Sequence, residues 1–313
     1  MLDVVSIGSA TLDIFLKSDQ FKIDRHDQGV YLCEKYDGKI EAQELVMVSG
    51  GGATNSAVSF ARNGLRIAPI IEMGKDPASE TILSELEREG LDLSFIVQEE
   101  SETTAVSVVL LSGRGGNSIV TYRGASKMLT AGDIPFDRLG MLLKPGGWIY
   151  LTSVGGDMEL VEKVLKWGKG KGRKVYWNPG AAEISQVKSS KLKVKSFPEV
   201  LQLNRKEATD FFGVNFIDDE VWKSEHCPTL PETILVITDG ERGGRICHQG
   251  KCSWYKGIKT KMVDSTGAGD AFGSGFVIGI MKGEPIEIAI EYGKKQAANV
   301  IKFIGAKKGL SSL

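Results

Sequence analysis

Downstream of Trp148 the chain alternates short β-branched or aromatic runs with longer helix-like ones, and this constrains the fold more than any other feature. The strand-like runs are Trp148 to Leu151, Val175 to Trp177, Val200 to Leu203 and Ile234 to Thr238. The helix-like ones between them include Met158 to Lys169 and Lys206 to Phe212. Parallel neighbours need a crossover, usually a helix, so the rhythm predicts βαβ units: an α/β, doubly wound, mostly parallel sheet with helices on both faces. Two further helix-like segments, Gly267 to Met281 and Ile286 to Phe303, close the chain.

The first half reads differently. Val4 to Gly8 is a buried strand. Ile14 to Leu16, Val30 to Cys33 and Leu45 to Val48, with a turn at Asp37-Gly38, read as short strands and hairpins. Ala53 to Asn63 has helical spacing and Gly64 to stop it. A strand over Ile67 to Ile71 follows, then a helix opened by Asp76-Pro77 and ended by Gly90. Thr103 to Leu111 and Ser118 to Tyr122 flank Gly113 to Asn117 as a hairpin. With no repeat, low-complexity tract or linker, residues 1–313 read as one domain. The early hairpins rise from one edge as an insert.

Composition excludes several function classes. The 39 basic and 40 acidic residues leave a formal charge of -1, without the basic excess of a nucleic-acid binder. The run Lys169 to Lys174 reads as a solvated turn, since no aromatic or basic stripe accompanies it. The longest apolar stretches, such as Phe276 to Met281, are too short to span a bilayer. No signal-peptide pattern precedes the first strand. A soluble, cytoplasmic protein with no membrane partner is expected. Cys33, Cys227, Cys247 and Cys252 are expected as free thiols. Cys227, Cys247 and Cys252 with His226 and His248 fit no zinc spacing, and Cys247 and Cys252 read as packing thiols of a hairpin. Neither a Gly-x-Gly-x-x-Gly dinucleotide turn nor a P-loop is present.

Two segments carry chemistry. In the run from Asp264 to Val277, Gly267-Ala268-Gly269 leads directly into a helix. A glycine turn lets backbone approach a ligand closely, and the helix start offers unpaired N–H groups, so the pair makes an anion site. Asp270 sits beside that site, where a carboxylate would repel a phosphate. Either it caps the helix, or it takes the proton of a hydroxyl that attacks a phosphoryl group. The second segment is Gly50-Gly51-Gly52-Ala53-Thr54-Asn55-Ser56-Ala57, another glycine turn feeding a helix. It is either a turn with a cap or a place where backbone and Asn55 meet a polar substrate.

In this order and spacing the two segments resemble the PfkB, or ribokinase, family of carbohydrate kinases, and the resemblance covers essentially the whole chain. It implies a ribokinase-like fold with a small β-lid, here about residues 14–49 and 101–123. It implies transfer of the γ-phosphoryl group of ATP, with Mg²⁺, to a hydroxyl of a sugar or sugar-like small molecule. Asp270 would be the base and the turn Gly267-Ala268-Gly269-Asp270 the anion hole. Asp13 falls where the family places a substrate-binding aspartate at the end of the first strand. Gly51, Gly52 and Asn55 would join it. Asn204-Arg-Lys-Glu207 resembles the family's Asn-x-x-Glu motif, with Asn204 near the phosphates and Glu207 organising Mg²⁺ through water; by itself it is a helix start. Thr238, Gly240 and Gly243 resemble the nucleotide loop. Asp264, with Thr266 and Gly305-Ala306, resembles the region where relatives bind a monovalent cation such as K⁺. The lid is implied as a surface for pairing two copies. Gly52 and Thr11 stand where ribose-specific relatives carry Lys and Asn. Thr54-Asn55-Ser56 is similar to the adenosine-kinase branch. Thr121 to Ala125 is similar to a segment of acidic-sugar kinases in which Arg123 would grip a carboxylate. Sugar kinase, nucleoside kinase and non-catalytic sugar sensor therefore stand as alternatives.

Overall fold

The computed structural model describes residues 1–27, 29–112, 117–190, 196–223, 228, 230 and 232–313. The chain opens with β1 (Leu2–Ile7), β2 (Thr11–Ser18), β3 (Lys22–His26), β4 (Gly29–Cys33) and β5 (Glu44–Gly50), then α1 (Gly52–Arg62). After β6 (Ile67–Ile70) and β7 (Glu72–Gly74) come α2 (Pro77–Arg88), β8 (Val97–Glu99), β9 (Val106–Ser112) and β10 (Asn117–Tyr122). Next are α3 (Phe136–Leu142), β11 (Leu143–Leu151), α4 (Met158–Gly170), β12 (Lys174–Trp177) and α5 (Ala181–Ser190). These lead to β13 (Val200–Asn204), α6 (Arg205–Phe212), α7 (Asp219–Lys223) and β14 (Ile234–Thr238). A hairpin of β15 (Gly244–His248) and β16 (Lys251–Tyr255) precedes α8 (Ala268–Met281) and α9 (Ile286–Val300).

The main sheet has eight strands in the order β16-β15-β14-β13-β12-β11-β1-β6. From β6 to β14 the pairs are parallel, and β15 and β16 add an antiparallel edge. Successive residues of a strand point to opposite faces, which divides the core in two. Val5, Ile149 and Leu201 pack on one side with Leu160, Val164 and Phe211 of α4 and α6. Val4, Trp148 and Val200 pack on the other with Phe60, Phe276 and Ile290 of α1, α8 and α9. Coverage on both faces explains why these strands read as unbroken apolar runs.

A second sheet, β10-β9-β2-β5, stands beside it, with Phe15, Val109 and Leu111 as its small core. Leu45, Met47, Ile119 and Val120 are exposed on it. Here the sequence reading is corrected. β2 begins at Thr11, so Asp13 lies inside the second sheet, opposite Val48 and Ser107, not at the end of the first strand. A charged residue breaks the apolar pattern, but its carboxylate finds a partner in Thr11, whose Oγ1 donates to Oδ1 at 3.0 Å. The last helix ends at Val300, short of Phe303.

Cys247 and Cys252 face each other in register across β15 and β16 and are joined as a disulfide, with Cα atoms 4.1 Å apart. This corrects the expectation of packing thiols: a tight antiparallel hairpin sets the two side chains directly opposite. Cys33 is a free thiol. Cys227, His226 and the turn Gly113–Gly116 lie outside the described residues. Among the described residues no helix is long and apolar enough to cross a membrane.

Candidate active site

Glycine shapes the floor of the site at two positions. Gly267 precedes α8 with φ 74°, a left-handed conformation that side chains resist. It turns the chain so that the first amides of α8 face a cavity. The Ala268 amide donates to Ser265 O, while the Gly267, Gly269 and Asp270 amides donate to no described residue. Among the described residues the turn therefore has three backbone donors without a partner, and the Ala268 amide is not one of them. The second position is Gly50, where a Cβ would lie 1.9 Å from Asp13 Oδ2. The absent side chain is the room in which the Asp13 carboxylate sits.

Asp270 does not cap its helix, since α8 has no side-chain cap. Its Oδ2 instead accepts from Asn55 Nδ2 at 2.9 Å, which joins the two glycine segments across the molecule. Burial pushes the Asp270 carboxyl up, while Asn55 and Lys307 pull it down and Asp13 raises it again. Asp13 is itself buried and also pushed up by burial, against the hydroxyls of Thr11 and Ser107 and the charge of Lys307. Asn55 is 4% exposed and its Oδ1 has no partner among the described residues. A buried acceptor left unpaired is costly, so it is a place for a ligand hydroxyl to donate.

A cavity of about 250 Å³ brings together Gly52, Asn204, Glu207, Thr238, Gly269 and Asp270. Thr152, Ser153, Asn178 and Gln202 complete its wall. They come from the C-terminal ends of β11, β12 and β13, where open α/β sheets bind ligands. Asn204 and Glu207 form a capping box on α6: Asn204 Oδ1 accepts from Glu207 N at 2.9 Å and Glu207 Oε2 from Asn204 N at 2.8 Å. That leaves Asn204 Nδ2 and Glu207 Oε1 without a partner among the described residues. Burial pushes the Glu207 carboxyl up. Among the described residues no three His, Cys, Asp or Glu side chains converge as a metal-ligand group. Glu207 and Asp270 are the carboxylates of this polar cavity, and Mg²⁺ is a cation that such sites hold while it keeps most of its waters.

Thr238 and Gly269 also border a cleft of about 470 Å³, which holds Gly240, Gly243, Tyr255, Phe272, Met262, Ala298 and Ile301. Arg205 fixes its entrance loop: Nη1 donates to Asp239 Oδ2 at 3.1 Å. Arg123 is exposed and lines a smaller pocket with Thr11, Thr121 and Lys127, which shares Ser9 and Ser153 with the polar cavity. Asp264 is buried and lines none of these cavities. Its oxygens accept from Thr266 N and Oγ1, from Gly305 N and from Asn117 Nδ2.

Sequence reasoning did not single out Thr152, Ser153, Asn178, Gln202, Tyr150, Glu183 or Lys307. Asn178-Pro179-Gly180 had a usable signal, a polar turn directly after a parallel strand. Buried Tyr150 donates to Asp270 O at 3.3 Å, and Gln202 Nε2 to Gly269 O at 3.0 Å, so both brace the first turn of α8. Glu183 accepts from Ser153 Oγ, Val154 N, Gly156 N and Gly180 N, which ties the β11 and β12 loops together. Lys307 is buried, and its ammonium is pushed down to about 8 by burial, against the pull of Glu85, Asp13, Asp270 and Glu89.

The profile described as pfkB family carbohydrate kinase matches residues 1–312. A ribokinase of Haemophilus influenzae is 26% identical over 87% of this chain and 87% of its own. An adenosine kinase of Saccharomyces cerevisiae is 26% identical over 86% and 82%. The structure of Arabidopsis thaliana ribokinase complexed with ribose and ATP superposes with TM-score 0.74 at 21% identity, covering 99% of this chain and 96% of that one. This chain belongs to the pfkB family of carbohydrate kinases, phosphotransferases that act on hydroxyl groups, and is a sugar or nucleoside kinase.

Proposed function

We propose that the chain transfers the γ-phosphoryl group of ATP to a hydroxyl of a sugar or sugar-like small molecule, with Asp270 as the general base. The observation that carries this is the bond from Asn55 to Asp270 beside three unpaired amides of the α8 turn. A proton acceptor beside unpaired backbone donors is the pairing that phosphoryl transfer to a hydroxyl requires, and this supports the reading.

In this reading the nucleotide lies in the cleft of Thr238, Gly240 and Gly243, with its phosphates towards the Asn204 amide. Tyr255 and Phe272 offer the base a wall of aromatic rings, 5.8 Å apart. Mg²⁺ would be held by Glu207 through water and would neutralise phosphate charge when bound. The substrate lies against Asp13, Gly51, Gly52 and Asn55, donating one hydroxyl to Asn55 Oδ1 and presenting another to Asp270. The second sheet is the lid that excludes water. Its exposed Leu45, Met47, Ile119 and Val120 would pair two copies. Asp264 and the Gly305-Ala306 turn would serve a monovalent cation such as K⁺ through backbone carbonyls. Arg123 stands at the edge, ready for a substrate carboxylate.

The test is ADP release from Mg-ATP across sugars, sugar phosphates, sugar acids and nucleosides. Turnover with one class fixes the substrate. Sugar binding without turnover anywhere in the panel would favour the sensor reading.

A further inference from the structure

Behind the substrate floor stands a buried ammonium that the reading above leaves unused. Lys307 follows α9 and is 6% exposed. Its Nζ donates to Ser49 Oγ at 2.6 Å, to Thr54 Oγ1 at 3.2 Å and to the Ser49 carbonyl. These residues bracket the Gly50-Gly51-Gly52 turn, and Thr54 Oγ1 donates onward to Gly50 O at 2.7 Å. The nearest carboxylate oxygen, Glu85 Oε1, is 3.8 Å away, while the other Glu85 oxygen accepts from Ser49 N at 2.8 Å. The Lys307 carbonyl accepts from Arg62, which Glu89 holds.

The ammonium thus spends its hydrogen bonds on neutral oxygens. Burying a charge without a close counter-ion is costly. Its field falls on two carboxylates that repel each other. Asp13 feels Lys307 and, with opposite sign, Asp264, besides the hydroxyls of Thr11 and Ser107. Asp270 feels Lys307 and Asp13, with Asn55 on its carboxylate and the phenol of Tyr150 on its carbonyl. Tyr176 stacks on Tyr150 beneath them. Lys307 is the positive charge common to both carboxylates.

We propose that Lys307 is a positioning residue of the phosphoryl-transfer site: it locks the Gly50–Gly52 turn from behind and, while protonated, supplies the positive charge that favours the ionised forms of both Asp13 and Asp270. This rests on Asp270 being the base. Lys307→Gln keeps hydrogen-bond donors and removes the charge; Lys307→Met removes both. The full chain of each is titrated by carboxyl ¹³C NMR, with Asp13 and Asp270 assigned through Asp13→Asn and Asp270→Asn, and kcat/KM is profiled against pH.

Both carboxyls should titrate at higher pH in both variants. The acid limb of kcat/KM should move the same way, with a loss of about tenfold on the acid side, and Met should additionally raise KM. Unmoved carboxyl titrations in Gln, or in Met should Gln fail to fold, overturn the proposal whatever happens to stability. Shifted titrations in a protein without turnover would uphold Lys307 and count against the kinase reading alone.

Discussion

Lys307 makes a prediction about stability that needs no substrate. Burial lowers its ammonium from the ordinary 10.5 to about 8 in the folded chain. Below about 8 both states carry the proton, and the folded state bears the full cost of the buried charge. Between about 8 and the ordinary value the unfolded chain still binds the proton and the folded chain does not. Stability therefore rises with pH through that window. The full difference corresponds to about 3 kcal/mol, and the part gained between about pH 8 and about pH 10 is about 2 kcal/mol. Urea unfolding of the parent and of Lys307→Met at both pH values isolates it, because titrating groups beyond the reach of Lys307 cancel in the comparison. Relative to Lys307→Met, the parent should become more stable by that amount at the higher pH. A difference that stays constant, or that moves the other way, would refute the buried-cation reasoning.

Two predictions concern the floor. Asn55→Ala removes the hydrogen bond that holds the Asp270 carboxyl down, so the acid limb of kcat should shift to higher pH; a profile that keeps its position contradicts the assigned contact. Gly50→Ala puts a Cβ where Asp13 Oδ2 sits. KM for the acceptor should rise by about tenfold or more while KM for ATP stays, and equal changes in both would place Asp13 away from the acceptor.

The parallel sheet was legible because buried strands and amphipathic helices have different periods, and the chain keeps each cleanly from Trp148 onward. The glycine turn into α8 was legible because glycine, small residues and a helix start lie contiguous in sequence. Asp13 was singled out only through family resemblance: an aspartate between Leu12 and Ile14 reads locally as a turn cap, and the room for its carboxylate comes from the empty space at Gly50. Lys307 left no signal. Beside Lys308 it looks like a surface pair, and its burial is decided by Ser49, Thr54 and Glu85, far away in the chain. Tyr150 and Gln202 read as ordinary core for the same reason. Asn204 and Glu207 were legible as a helix start, and the capping box shows that reading to be correct without excluding a second role for their remaining polar atoms.

The most direct test of the central claim is Asp270→Asn, assayed for turnover and, separately, for acceptor and nucleotide binding. Asparagine keeps the size of the side chain and removes its ability to take a proton. Turnover should fall by about 10²–10⁴-fold while both ligands still bind. Turnover close to that of the parent, with binding intact, would contradict Asp270 as the base.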